Sequence, residues 1–577
     1  NMDYLKKFDR FISVRDDSEN DQDKLRANHD LKPTPPKERT WRIYNYIFIW
    51  FQSSFNINGW NTGASIIKTS SLSLGEVIGA GVVSYCVSCF FVVSNARPGS
   101  DYHVGYPALI RSVYGVKLGY FMVFVRMFVA TLWFSIMTYY GGMVLDVAMR
   151  CLFGHKWVNI PNILPESSGI TSRYLLSFFL FWCLQFPLMF CHPKFIRHFF
   201  TFKAITLPIV TVGLFIFCMV KGGGPGNWSI GIHNTSTTSK GNQWMSVINS
   251  VFGTVSPVII NQPDIARYAK RKQDTVIPQA IGYIPSEIFV YIIGIAGTAS
   301  LYRAYGVVYW NMWDLLNGIL DNEWSAGART GVWFVAFFYS LGNAGTNIFA
   351  NSIPFSCDLC GLLPKYFTIV RAQIFVSFLA WAIVPWKIIS NAENFITFLD
   401  SYSIFVGPLL GTMLADFYFI RKGNIHVPSL YTKNPSNPYY YFKGFNIWGF
   451  LCWACAAVIA IPGLYKVYHP NVLSQAALDI YNSGWLYTFL AGFFFYLTCG
   501  YIFKPKLYPE RHANTPKTWE YMVQYNGFFE DDKPINGVGY SDSACVGEIS
   551  IENSQENSSN DENLEKGKNI VLTTVET

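Results

Sequence analysis

The chain has 577 residues, 51% of them hydrophobic, 18% aromatic and only 14% charged, with a mean hydropathy of +0.21 and a formal net charge of +7. Soluble domains carry about a quarter charged residues, so this composition excludes a string of soluble domains. It predicts an all-α polytopic membrane protein instead.

In chain order, residues 1–42 lack apolar periodicity and read as a solvated tail without a signal-peptide stretch. Twelve apolar segments follow, near 43–67, 74–95, 118–149, 174–191, 199–220, 243–262, 278–301, 331–352, 370–386, 393–420, 444–464 and 484–503. Residues 504–577 form a second tail, acidic and rich in Ser and Asn towards its end. An even number of spans puts both tails on one side. The greater share of loop Lys and Arg falls on that side, which makes it the cytoplasm. The sequons at Asn227 and Asn234 then face outward.

The first span is interrupted by FNINGWN, Phe55 to Asn61, and the sixth by SVFGTVSPVIINQPD, where Gly253 and Pro257 predict a second break. Interrupted spans at matching places in two halves mark a transporter's midplane site. They divide the chain into five-helix repeats at 43–220 and 243–420, an inverted 5+5 pair, with two further helices over 444–503. Polar groups at that depth serve a cavity or a buried contact.

Span three, TLWFSIMTYYGG, sets Trp133 and Met137 one turn apart on one face. Span eight, LGNAGTNIFANS, offers Asn343, Thr346, Asn347 and Asn351. Such side chains point into a bundle rather than lipid. An indole face with a convergent amide suits a flat heterocycle, although plain packing accounts for Trp133 equally well. Asp264, Arg267 and Lys270 after span six, with Asp358 and Asp416, suit either cytoplasmic gate ion pairs or simple interfacial anchoring. The cysteines read as packing residues, and no His/Asp/Glu or Cys/His constellation points to an enzyme or a metal. A nucleic-acid partner is not expected.

Taken together, LKPTPPKERTW before span one, FNINGW within it, HPKFIRHFF before span five, NQPDIARYAK after span six and LGNAGTNIFANS resemble fungal members of the nucleobase:cation symporter-1 family, in its uracil/uridine/allantoin permease branch. The resemblance runs from about Leu31 to Phe503. It implies a leucine-transporter-like fold and proton-coupled import of a small heterocycle across the plasma membrane, with no other cofactor. It implies that Trp133 stacks on the substrate ring and Asn351 hydrogen-bonds it. Asn58, Gly59 and Asn61 around the first break, and Val255 in span six, face the substrate. A Ser-Thr pair that binds sodium in bacterial relatives falls on Gly345 and Thr346, and the hydroxyl missing at Gly345 favours protons. Asp358, Lys270 and Arg267 become the gate. Met137 stands where uracil and uridine carriers have Gln, and Asn61 where uracil carriers have Gln. The cargo is thus left open among allantoin, a nucleoside, and a vitamin such as thiamine or nicotinamide riboside. A nutrient sensor that does not transport is the alternative. Lys566 and Lys568 in the acidic tail suit a ubiquitin ligase controlling endocytosis.

Overall fold

The first apolar run folds as two helices, α1 (Ile43–Ser54) and α2 (Ile57–Thr69). In this computed structural model, which describes residues 9, 12–14, 27–35, 38–229 and 239–505, the break has a clear local cause. Asn56 is extended, and its side-chain oxygen accepts from the Gly59 amide at 2.9 Å, which satisfies one of the donors that a new helix leaves open. Gly59 fits because nothing larger does. A Cβ there would sit 2.6 Å from the Ser54 carbonyl oxygen and 2.9 Å from Val290.

The remaining spans are α3 (Leu74–Tyr102), α4 (Leu118–Phe153), α5 (Ser172–Gln185), α6 (Pro193–Gly222), α7 (Lys240–Ile260), α8 (Ile277–Tyr305), α9 (Ala326–Asn347), α10 (Ile353–Leu362), α11 (Ile369–Ala382), α12 (Ala392–Leu414), α13 (Ile447–Val458), α14 (Ile461–Tyr468) and α15 (Gly484–Phe503). Every expected apolar segment falls on one of these helices or on a consecutive pair. Among the described residues, eight helices are long and apolar enough to cross a membrane on their own, and α13 with α14, bent by 40°, makes nine. The remaining segments are divided by breaks or are shorter. The sequon at Asn234, and Lys566 and Lys568, lie outside the described residues.

Span six departs from expectation. α7 runs through Gly253 and Pro257 without interruption, and the turn comes only at Asn261, before a short helix at Gln262–Ala266. Pro257 removes the N–H that would have reached the Gly253 carbonyl four residues back, but Tyr402 of α12 donates its hydroxyl to that oxygen. The lost bond is replaced from outside, so the helix continues. Gly253 itself answers a close approach, since a Cβ would lie 2.9 Å from the Leu399 carbonyl oxygen.

Span eight carries an irregularity that the sequence did not announce. A π-helical turn at Ile348–Ser352 joins α9 to α10. Such turns rotate the following side chains relative to an α-helix and cluster at functional sites.

Residues 27–35 lie across several loops. Asn28 donates to the Phe367 carbonyl at 2.6 Å, Asp30 accepts from the Ile369 amide at 2.9 Å, and Tyr431 donates to the Leu31 carbonyl at 2.9 Å. Arg267 binds the same segment through Thr34 and the carbonyls of Asp30 and Lys32, at 2.7–2.9 Å.

Candidate functional site

The α1–α2 break opens onto a cavity with about 670 Å³ of empty space, its mouth included, walled by α1, α2, α3, α4, α7, α8 and the π turn of span eight. Trp133, Met137, Asn58, Gly59, Val255, Thr346 and Asn351 all line it, so residues distant in sequence converge on one space. Asn61 does not. It is fully buried one turn further along α2, where its side-chain oxygen accepts from the Met312 amide at 2.9 Å. Its place is a structural link to the helix Met312–Asn322, because a turn of α2 separates it from the break.

Trp133 is covered by α12. Phe398 meets it edge-on at 5.5 Å between centroids and Tyr402 at 6.3 Å, which makes a lid of two rings over the indole. The same Tyr402 hydroxyl that repairs α7 therefore ties this lid to span six.

A directional chain of hydrogen bonds sets the polarity of Asn351. The Asn347 amide nitrogen faces the Phe134 carbonyl at 3.0 Å, the Thr138 hydroxyl at 3.1 Å and the Gln185 side-chain oxygen at 3.0 Å. The Thr138 proton is already given to Phe134 at 2.8 Å, so each of these partners accepts. Asn347 must then turn its oxygen the other way, where it accepts from the Asn351 nitrogen at 2.9 Å. The Asn351 oxygen is left for the cavity. Asn343, a turn earlier, donates to the Met137 carbonyl and fastens α9 to α4.

Two charged side chains at this site escaped the sequence reading. Glu287 of α8 lines the cavity and accepts from the Ser54 hydroxyl at 2.7 Å. Lys203 lies inside α6 with 2% of its surface exposed. Its ammonium donates to the Thr346 hydroxyl and to Gln52 at 3.3 Å. At Gly345, a Cβ would meet the Phe199 ring at 2.8 Å and the Lys203 chain at 3.3 Å. Gly345 and Thr346 thus do not fit a sodium ion, since one has no side-chain oxygen and the other's is taken by an ammonium. Both charged groups were visible as ionisable residues within apolar runs, a pattern that points to function by default.

The ion pairs expected of a gate also differ from those found. Asp358 pairs with Arg126 of α4, which reaches Asp264 as well, and both carboxylates are fully buried. The Arg126 guanidinium lies 3.9 Å from the Tyr106 ring centroid. Span three, the short helix after α7 and α10 are joined through this one cation. Arg267 instead holds residues 30–34, and Lys270 is exposed, joined to Trp41 only through its backbone amide at 2.8 Å. Neither reaches Asp358, because Arg126 comes to it from within the bundle.

The family profile described as permease for cytosine/purines, uracil, thiamine, allantoin matches residues 33–486. Among similar proteins of Saccharomyces cerevisiae, the allantoin permease is 29% identical, with 88% of this chain and 80% of that protein covered. The uridine permease is 30% identical over 74% of this chain and 68% of its own length. Of solved structures, Mhp1, a nucleobase-cation-symport-1 family transporter in a closed conformation with bromovinylhydantoin bound, superposes with a TM-score of 0.65 at 18% identity, covering 84% of this chain and 99% of Mhp1. That likeness carries the leucine-transporter-like fold.

Proposed function

The chain belongs to the family of permeases for cytosine/purines, uracil, thiamine and allantoin, and from that premise we propose that it imports a small planar heterocycle of the uracil, allantoin and uridine class as a proton symporter of the plasma membrane. It is a carrier rather than an enzyme, multi-pass, with both tails in the cytoplasm.

The observation that carries this reading is the cavity at the helix break, where the Trp133 indole meets the cavity-facing oxygen of Asn351 and is backed edge-on by Phe398 and Tyr402. A flat ring stacks on indole while its edge bonds to an amide. Lys203 supports a proton as the coupling ion, because its ammonium stands against Thr346 where a metal cation would need that oxygen. An amine there touches a hydroxyl that lines the cavity and can pass a proton towards it.

Uptake of labelled allantoin, uracil and uridine in a transport-deficient yeast tests the reading. Saturable uptake that rises with external acidity and ignores sodium is expected. Trp133→Ala and Asn351→Ala should abolish it at wild-type surface levels, whereas Lys203→Gln should remove the pH dependence. Unchanged uptake in both site variants would overturn the assignment.

A further inference from the structure

Glu287 is a carboxylate in an otherwise uncharged cavity. Apart from it, the lining is apolar, aromatic, hydroxyl or amide. One of its oxygens accepts from Ser54, and among the described residues no Lys, Arg or His forms an ion pair with it. Two amide oxygens share the space. Asn58 Oδ1 is buried without a hydrogen-bond partner, and Asn351 Oδ1 is turned inward by the chain through Asn347. A buried acceptor without a donor is costly, so the unpaired Asn58 oxygen, together with the Asn351 oxygen and a carboxylate that has one oxygen bonded by Ser54, describes what is meant to enter the cavity. Rings flank the carboxylate. Tyr283 lies one turn before it on α8, Trp50 meets Tyr283 edge-on at 4.6 Å, and Tyr85 stands at 6.2 Å from the same ring. Aromatic rings in a cavity wall beside a carboxylate favour electropositive groups.

We propose that Glu287 is a specificity-determining residue, and that the cargo meets it with an electropositive edge built of N–H donors. This rests on the transport reading above and narrows it. The chemistry is that of a ureide, an imide or an amino-substituted ring cation. A heterocycle that presents only carbonyl oxygens to this wall would give the Asn58 and Asn351 oxygens no donor and set its own oxygens against the carboxylate. Ser54 sits at the C-terminal end of α1, one residue before the break, so the interruption also brings a hydroxyl to orient the carboxylate.

The test is competition against the transported cargo by allantoin, uridine, thiamine and N-methylated analogues whose donors are blocked. It uses wild type, Glu287→Gln and Glu287→Asp at matched surface levels. In wild type, blocking the donors should weaken competition by roughly tenfold or more, the range of a hydrogen bond to a charged group. Glu287→Gln should weaken the N–H-rich competitors by a similar factor and leave the methylated ones unchanged, while Glu287→Asp keeps the wild-type ranking. Preference for allantoin over thiamine in wild type identifies neutral donors as the edge, and the reverse identifies a ring cation. An equal loss for every competitor, or a ranking that Glu287→Gln leaves intact, overturns the proposal. So does a Glu287→Gln variant that changes only the pH dependence. If Glu287→Gln fails to reach the surface, equal competition by methylated and unmethylated analogues in wild type overturns it alone. Wild type that takes up no heterocycle refutes the transport reading instead.

Discussion

Gly59→Ala adds a single methyl group at the narrowest point of the helix break. Its Cβ would lie 2.6 Å from the Ser54 carbonyl oxygen and 2.9 Å from Val290. Val290 can turn aside, but the carbonyl belongs to the last residue of α1 and moves only with it. Overpacking of this kind costs about 1–3 kcal/mol, and the helical gain from Gly to Ala offsets at most about 1 kcal/mol of that. The strain displaces Ser54, whose hydroxyl bonds Glu287 at 2.7 Å, and with it the cavity wall. Transport kinetics at matched surface expression should show KM raised by roughly 5- to 30-fold, the equivalent of about 1–2 kcal/mol. Gly213→Ala, where a Cβ meets nothing within 4 Å, is the control and should behave as wild type. A Gly59→Ala carrier with wild-type KM would refute the claim that nothing larger than Gly fits at the break.

Arg126→Met leaves Asp264 and Asp358 buried without their cation. Loss of one partner from a buried pair costs about 3–5 kcal/mol, so surface yield and thermal stability in detergent should fall sharply, and further than for Asp358→Asn, in which Arg126 keeps Asp264. Tyr402→Phe removes the replacement donor from the Gly253 carbonyl, worth about 1–3 kcal/mol; faster efflux of preloaded cargo is expected, and unaltered efflux would separate the lid from α7. The grip on residues 27–35 should depend on pH. Burial pushes the Asp30 carboxyl up, but hydrogen bonds from His192, His29 and the Ile369 amide outweigh it and hold the group below its ordinary value of 3.8. The hydrogen bond to Asp30 raises His29 above 6.5. A lowered carboxylate contributes above its unfolded value and is lost as pH falls through the folded one. A raised histidine contributes below 6.5 and is lost as pH rises through its folded value. Limited proteolysis should therefore find this segment better protected at about pH 6 than at about pH 8, with the difference abolished in Asp30→Asn.

Much of the architecture was legible because a bilayer allows few solutions: apolar length gives the spans, and FNINGWN gives the first break. The second break misled. Gly253 and Pro257 have the local chemistry of an interruption, but a hydroxyl more than a hundred residues away supplies what proline removes, and no local rule contains that partner. The π turn around Asn351 was hidden for the same reason, since its cause lies in packing. At the site, Trp133, Met137 and Asn351 could be placed by helical spacing together with the family resemblance. Asn61 was misplaced, because one further turn of helix carries a residue out of the cavity. Lys203, Glu287 and Arg126 were overlooked for a different reason. Each is a charge in an apolar run, where flanking loops drew the attention, although burial makes precisely such charges the informative ones.

The chain from Gln185 to Asn351 has a consequence for how selectivity could drift. Gln185 lies a full residue row behind the cavity, out of reach of any cargo, yet its acceptor oxygen helps decide which end of Asn347 faces Asn351. Exchange it for an apolar residue, and the Asn347 amide is held by the Phe134 carbonyl and the Thr138 hydroxyl alone. The pocket's shape and every residue that touches the cargo would stay as they are, while the Asn351 acceptor in it is held less firmly. Selectivity can thus be tuned through a position that no comparison of binding residues would include.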